Sequence, residues 1–322
     1  MTGAIIIVGA ELPQSAAHPG VLPAGDPIHP ALPMGCVEVL GRSVVDRILD
    51  ALHRSAFDRV VVLADNTKNW PVEINQARPS PRWVAEPWGE VAVELQNYKA
   101  AGIDSAVLIS PSAYAELNVA DLLQCHRDEK VSITRAFSDK RPLDVWVIDT
   151  SRLEPSDELV SRLTSDECPA YPVDGYVNFL DHPRDLRRLV ADCFNNTCRL
   201  GPEGHEIRPG VWMNGAVEVH RGARIVAPAF LGRGSRIEDQ CLITRCSSVE
   251  ANCHVDYGTV VEDSSILPNT YVGIGLDISH SIVHGNTLLN LERDVTLRIS
   301  DHGVIRPNRV LRREQYSEPP SA

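Results

Sequence analysis

The side chains that could do chemistry in this chain sit in a few short stretches. Ser110-Pro111-Ser112 follows an apolar run, Ser105–Ile109, and precedes Asn118–Arg127, whose apolar residues return at helical spacing. In an α/β protein, the loop at the carboxyl end of a strand is where chemistry is usually placed. Ser110 and Ser112 can donate hydrogen bonds to a sugar or phosphate; Ser-Pro-Ser also serves simply to end a strand and start a turn. No carboxylate stands in this loop. Gly9, Ala10 and Glu11 follow the first apolar run and can offer backbone groups to a nucleotide, or form an ordinary surface loop. Gly89 opens a helix, either beneath a ligand or to permit a tight turn. Trp83 and Trp88, with Arg78 and Arg82, lie in or beside a Pro-rich loop, Ala77–Trp83, and can stack on a base or sugar or anchor that loop.

A second group lies near the other end of the chain. His220, His254, His280 and His284 fall in a region of different periodicity. His254 is the first choice for a general base in acyl transfer from a thioester, with His280 and His284 next. Three histidines can also bind Zn²⁺, but this spacing is not that of a recognised triad. The alternative is that these histidines are exposed corner or face residues.

The elements that must position these groups follow two periods. Up to about residue 198, strand candidates (Ala4–Val8, Arg59–Ala64, Ser105–Ile109, Ser132–Phe137, Val145–Ile148) alternate with amphipathic segments (Ser43–His53, Val91–Lys99, Asn118–Arg127, Arg184–Asp192). That alternation implies an α/β domain with a mostly parallel sheet covered on both faces.

After about residue 200 the period becomes six. Ile207, Met213, Val219, Ile225, Leu231, Ile237, Ile243, Val249, Val255 and Val261 are all aliphatic or Met. The fifth position of each hexad is mostly small, from Val211 to Ser265. One residue is then lost, and Ile266, Val272 and Ile278 resume the step. This is the hexapeptide repeat of a parallel β-helix, with three flat faces per coil, an aliphatic core and small residues at corners. The organisation expected is 1–198 α/β domain, 199–302 β-helix and 303–322 a partly disordered tail.

Composition narrows the function classes. The net charge is −12, from 31 basic and 43 acidic residues, which argues against nucleic acid as a partner. No apolar run is long enough to span a bilayer, and Met1–Gln14 lacks the basic n-region of a signal peptide. The eight cysteines contain no CxxC pair and read as reduced thiols. A cytoplasmic protein without a membrane partner is expected.

The layout resembles the sugar-phosphate nucleotidyltransferase family, the NDP-sugar pyrophosphorylases. The resemblance rests on Gly41–Leu52 followed by Phe57–Leu63, on Glu86–Ala92, on the Ser110 stretch and on the repeats behind them. It implies a Rossmann-like nucleotidyltransferase-type domain followed by a left-handed parallel β-helix. It further implies an NDP-sugar or sugar phosphate as ligand, at Gly9, Ala10, Glu11, Gly89, Ser110 and Ser112, and a role in sugar-nucleotide or envelope-polysaccharide metabolism. A homo-oligomer through the β-helix, or assembly with an active relative, is the expected association.

The departures concern the charged machinery. The family's glycine-rich, arginine-bearing first loop is here Val8-Gly-Ala-Glu-Leu-Pro-Gln14, with one glycine, no arginine and an added acid. Its lysine aligns with Met34, and its metal-binding Asp with Pro111 or Ser112. Nucleotidyl transfer depends on metal and cations, so transferase activity is expected to be weak or lost. Mg²⁺ is expected only if transfer is retained, with ligands such as Asp139 or Asp149. The alternatives are a repeat-type acyltransferase acting through the β-helix, an active Mg²⁺-dependent transferase with atypical ligands, and a purely structural oligomerisation protein.

Overall fold

The computed structural model describes residues 1–10, 34–55, 57–67, 79–152, 159–165 and 168–308. The chain divides into two compact units, with the boundary between Glu203 and Gly204.

The first unit is built on a seven-stranded sheet. Its strands are β1 (Thr2–Val8), β2 (Arg59–Asp65), β3 (Arg82–Val84), β4 (Ser105–Ile109), β5 (Ile133–Ser138), β6 (Arg141–Asp149) and β7 (Ala170–Pro172). Their order across the sheet is β7-β5-β6-β4-β1-β2-β3. β1 pairs in parallel with both β2 and β4, while β6 runs antiparallel to β4 and to β5. The reversal has a local cause. Asp139 and Lys140 join β5 to β6 with φ of 47° and 68°. Two positive φ values in a two-residue turn match the right-handed twist of a hairpin, so the chain returns antiparallel.

Among the described residues, five α-helices accompany the sheet: α1 (Val44–Arg54), α2 (Pro87–Ala100), α3 (Val119–Glu129), α4 (Leu159–Leu163) and α5 (Pro183–Phe194). Ser43 caps α1 by accepting from Asp46 N–H, Asn118 caps α3 through Asp121 N–H, and His182 with Asp185 forms a capping box on α5. α2 starts at Pro87, four residues ahead of the amphipathic run expected from Val91, because proline at the first helical position gives up no hydrogen bond. β1 is buried on both faces. Ile5 and Ile7 pack with Trp88, Val91, Leu95 and Tyr98 of α2 and Trp146 of β6, while Ala4, Ile6 and Val8 on the other side are equally inaccessible.

The second unit consists of short strands repeated in three sheets. Val219 pairs with Ile237 and Ile237 with Val255, each parallel and 18 residues on. From Val249, Val255 and Val261 the step becomes 17, to Ile266, Val272 and Ile278. This places the residue lost from the hexad count within a single coil. The layout is compatible with a parallel β-helix. Backbone bonds such as Glu238 N–H to Val255 O (3.0 Å) and Asp256 N–H to Val272 O (2.9 Å) join successive rungs. The aliphatic positions from Ile225 to Ile278 form one buried cluster. Ile207 departs from the expected pattern: it is 52% exposed, because His205–Arg208 pairs antiparallel with Val211–Met213 and lies outside the ladder.

Two features hold the corners. The small fifth-position side chains bond inward to carbonyls: Thr259 Oγ1 donates to Gly273 O at 2.5 Å and Ser247 Oγ to Val261 O at 3.1 Å. Cys241 and Cys253 take the same role, and none of the eight cysteines is in a disulfide. The turns are left-handed, with Gly234, Asn252 and Asn269 in one column at φ of 67°, 56° and 58°. Glycine and asparagine tolerate that region where most L-residues do not. Asn252 Nδ2 also donates to Asn269 Oδ1 at 3.1 Å.

The repeats end in antiparallel strands. Ser281–His284, Thr287–Asn290 and Val295–Arg298 form a meander, and Ile305–Pro307 pairs antiparallel with Thr270–Val272. Residues 303–308, expected in the tail, thus include a strand, and Ile305 is buried. Residues 309–322 lie outside the described residues. Among the described residues, no helix is long and apolar enough to cross a membrane.

Candidate functional site

β1 and β4 lie side by side in parallel, with Ile6 opposite Ile109. The chain leaves β1 toward β2 on one side and leaves β4 toward the other half of the sheet. The strand order therefore reverses between them, and a crevice outside their carboxyl ends is where open α/β sheets take ligands. Gly9 and Ala10 end β1 here, and Ser110, Pro111 and Ser112 end β4. Gly9 has φ of 87°, which suits glycine at a sharp exit from a strand. Glu11 lies outside the described residues, as does Arg78.

Helix α2 brings Gly89 to the same place. Trp88 Nε1 donates to Ala10 O at 3.3 Å, so the first turn of α2 is tied to the loop after β1. Gly89 N–H bonds to Glu86 O at 3.1 Å within that turn. Gly35 completes the surround. A Cβ on Gly35 would stand 2.1 Å from Pro111 O, so only glycine permits this approach. The structure thus brings together Gly9, Ala10, Gly89 and the Ser110–Ser112 loop.

A carboxylate also reaches this loop, although none is present in its sequence. Asp144, on the antiparallel strand β6, accepts Ser112 Oγ–H at 2.9 Å, and its backbone carbonyl accepts Ser110 N–H at 2.8 Å. Its other oxygen accepts Arg135 Nη2–H at 3.0 Å. Arg135 also donates from Nε to Leu143 O at 3.0 Å, and its guanidinium lies 4.9 Å from the Trp146 ring centre. The Arg135 side chain is 8% exposed and that of Asp144 23%. Trp146 in turn meets Trp88 edge-on at 6.0 Å. One connected set of contacts therefore runs from Ala10 through Trp88, Trp146, Arg135 and Asp144 to Ser112.

These residues do not fit Mg²⁺. A magnesium site in a phosphoryl-transfer enzyme needs carboxylate oxygens free to face the cation and the phosphates. Here one oxygen of Asp144 faces a guanidinium and the other a hydroxyl. Asp139 lies in the hairpin turn between β5 and β6. Asp149 stands opposite Ser105, at the amino end of β4 and the far edge of the sheet, where its Oδ1 caps the Ser151–Arg152 turn. It cannot serve as a ligand at the Ser110 loop. Among the described residues, no three His, Cys, Asp or Glu side chains are grouped to hold a metal ion.

Trp83 and Arg82 lie on strand β3, not in a loop. Arg82 is bound to Glu90 at 3.0 Å and to fully buried Glu94 at 3.1 Å, and Arg59 joins Glu94 at 2.9 Å. Arg82 is thus a structural counter-ion of α2.

In the second unit the histidines are separated. His254 Nε2 lies 3.2 Å from Glu238 Oε1, and its ring meets Tyr271 edge-on at 5.3 Å. Tyr271 donates to Asp256 at 2.7 Å and lies under the Arg306 guanidinium at 4.0 Å. Burial first, then its bond to Asp256, pushes the Tyr271 hydroxyl up to about 12. Burial works to raise Asp256, but bonds from Tyr271 and from Tyr257 N–H, with His254 and Arg306 nearby, hold it below the usual carboxylate value. His280 pairs with Asp263 at 2.8 Å and His220 with Asp239 at 3.0 Å, at different corners. His284 lies at the end of Ser281–His284.

Asp144, Arg135 and Trp146 went unnoticed in the sequence as site residues. The usable signal was the two-residue Asp139-Lys140 turn, which folds Asp144 back beside Ser110. It lacks the glycine that normally marks such a hairpin. Comparison with protein-family models and with curated proteins found no match to this chain.

Proposed function

We propose that the first unit is a nucleotidyltransferase-like scaffold that binds an NDP-sugar or sugar phosphate at the β1–β4 crevice, with transferase activity weak or lost. The second unit is read as a left-handed parallel β-helix that assembles or regulates, in sugar-nucleotide or envelope-polysaccharide metabolism. The single observation that carries this reading is the state of Asp144. Asp144, the carboxylate bonded to the Ser110–Ser112 loop, is already engaged by Arg135 and Ser112. A cation-dependent transfer step would have to break that ion pair, whereas binding of hydroxyls by the Ser112 and Asp144 oxygens would not.

Pyrophosphate release tests this. Folded protein, Mg²⁺, the common NTPs and a panel of sugar 1-phosphates should give no turnover, while calorimetry with NDP-sugars shows saturable binding. Clear turnover would restore the active Mg²⁺-dependent transferase and require carboxylates other than Asp144 and Asp149.

One observation favours acyl transfer as a second reading. His254 is oriented by Glu238 and Tyr271, as a general base needs to be. Thioester-dependent activity abolished by His254→Ala, with NDP-sugar binding absent, would establish it in place of the first.

A further inference from the structure

Among the described residues, one sheet of the second unit ends on an unpaired strand edge. Val295–Arg298 pairs with Thr287–Asn290 on one side and is the last strand of its eight-stranded sheet among the described residues. All four residues are exposed, with Val295 at 41% and Leu297 at 47%. Such an edge presents a row of backbone donors and acceptors, a template for another strand. Proteins usually blunt an edge with charges, proline or a bulge. The opposite edge of this sheet, His205–Arg208, has His205, Glu206 and Arg208 in four positions. Val295–Arg298 carries one charge, Arg298 at its end, behind three good strand formers, Val295, Thr296 and Leu297.

We infer that Val295–Arg298 pairs antiparallel with the same strand of a second copy, about a two-fold axis through Thr296. A two-fold contact must be self-complementary, and this register is. It sets Val295 opposite Leu297 of the second copy, twice. It also sets Asp294 opposite Arg298 of the second copy, twice, an opposite-charge pair at each end of the ladder. Asp294 has φ of 55° and leaves the strand there, so the ladder closes on that pair. Opposed residues in an antiparallel ladder must face the same way, so the axis can move only from one residue to the next. On Leu297 it would set Asp294 opposite Ser300 and Arg298 opposite Thr296, and on Val295 it would set Asp294 opposite Thr296, and either loses the Asp294–Arg298 pair. The sheet of one copy then continues into the sheet of the other. This inference does not depend on what the first unit binds.

Sedimentation velocity on the full chain over a concentration series tests it, with circular dichroism to check the fold of each variant. The wild type should form a dimer. Asp294→Arg and Arg298→Asp should each raise the dissociation constant roughly ten-fold or more, since like charges then face each other at both ends. The double variant should recover the wild-type constant. An equimolar mixture of the two single variants should also recover dimerisation, because in the mixed pair each altered charge meets its complement. Leu297→Lys gives the second disruption should a charge variant not fold. A wild type that stays monomeric overturns the inference. So does an oligomer indifferent to these changes, or one broken instead by Tyr257→Asp or Ile274→Asp at the exposed corner of the repeats.

Discussion

The Ser112–Asp144–Arg135 cluster and the His254–Glu238–Tyr271 cluster are both small polar groups on β-structure, but they are assembled differently. In the second unit, neighbours across the sheet are 17 or 18 residues apart, so His254 meets Tyr271 and Glu238 through the repeat itself. In the first unit, Ser112 meets Asp144 only because a hairpin reverses the chain, and Arg135 arrives from a third strand. A repeat sums similar local contacts, so its stability is close to additive over neighbouring coils. The sheet of the first unit instead concentrates its contacts on a few shared side chains, Trp146 above all.

The largest expected effect breaks that comparison directly. Trp146→Ala removes a fully buried ring whose Nε1 donates to Leu163 O at 2.9 Å and which underlies Trp88 and Arg135. It should cost about 3–5 kcal/mol and lower the urea midpoint of the first unit as a whole. A loss under about 1 kcal/mol would show that the first unit has no such hub.

Asn252 sharpens the other side. Asn252→Ala puts an ordinary residue at φ of 56° and removes the bond to Asn269, and should cost about 1–2 kcal/mol in thermal unfolding. Asn252→Gly should cost distinctly less, since glycine accepts the turn and loses only the bond. Equal losses would mean that the Asn–Asn bond, and not the left-handed corner, holds that column.

Ser112→Ala should leave stability within about 1 kcal/mol, because Asp144 keeps Arg135. On the function proposed above, it should weaken NDP-sugar binding roughly five- to ten-fold by calorimetry, the loss of one hydrogen bond. Unchanged affinity would remove Ser112 from the binding surface.

The smallest effect compares two carboxylates. Asp50 is held low first by its hydrogen bond from Arg42, and Asp256 by bonds from Tyr271 and Tyr257 N–H that outweigh burial. A carboxylate with a depressed folded value stabilises the fold above its unfolded pKa, and that contribution fades as pH falls through the folded value. Both contributions should be complete above the ordinary value of 3.8 and disappear progressively below it. In acid unfolding, Asp50→Asn should flatten that dependence for the first unit and Asp256→Asn for the second. A variant that keeps the wild-type slope would assign the titration to another group.

Much of this molecule was legible in advance, for identifiable reasons. The aliphatic ladder from Met213 to Ile278 and its small corner residues follow from a period of six, and so does the place where one residue drops out. Ile207 misled because an isolated match to the period cannot show that its strand turns back antiparallel. Gly9, Ala10, Gly89, Ser110 and Ser112 could be placed at strand or helix ends from local patterns alone. Asp149 looked as eligible a ligand as Asp139, since strand direction decides which sheet edge a residue occupies.

By itself, then, the sequence determined the two periodicities, the buried strands and the residue types available at the carboxyl ends of β1 and β4, because these depend on neighbours a few positions away. Only the tertiary structure decided that Asp144 faces Ser112 and is neutralised by Arg135. That outcome needs an antiparallel return, a strand register and a shared tryptophan, none of which is a local property of the chain.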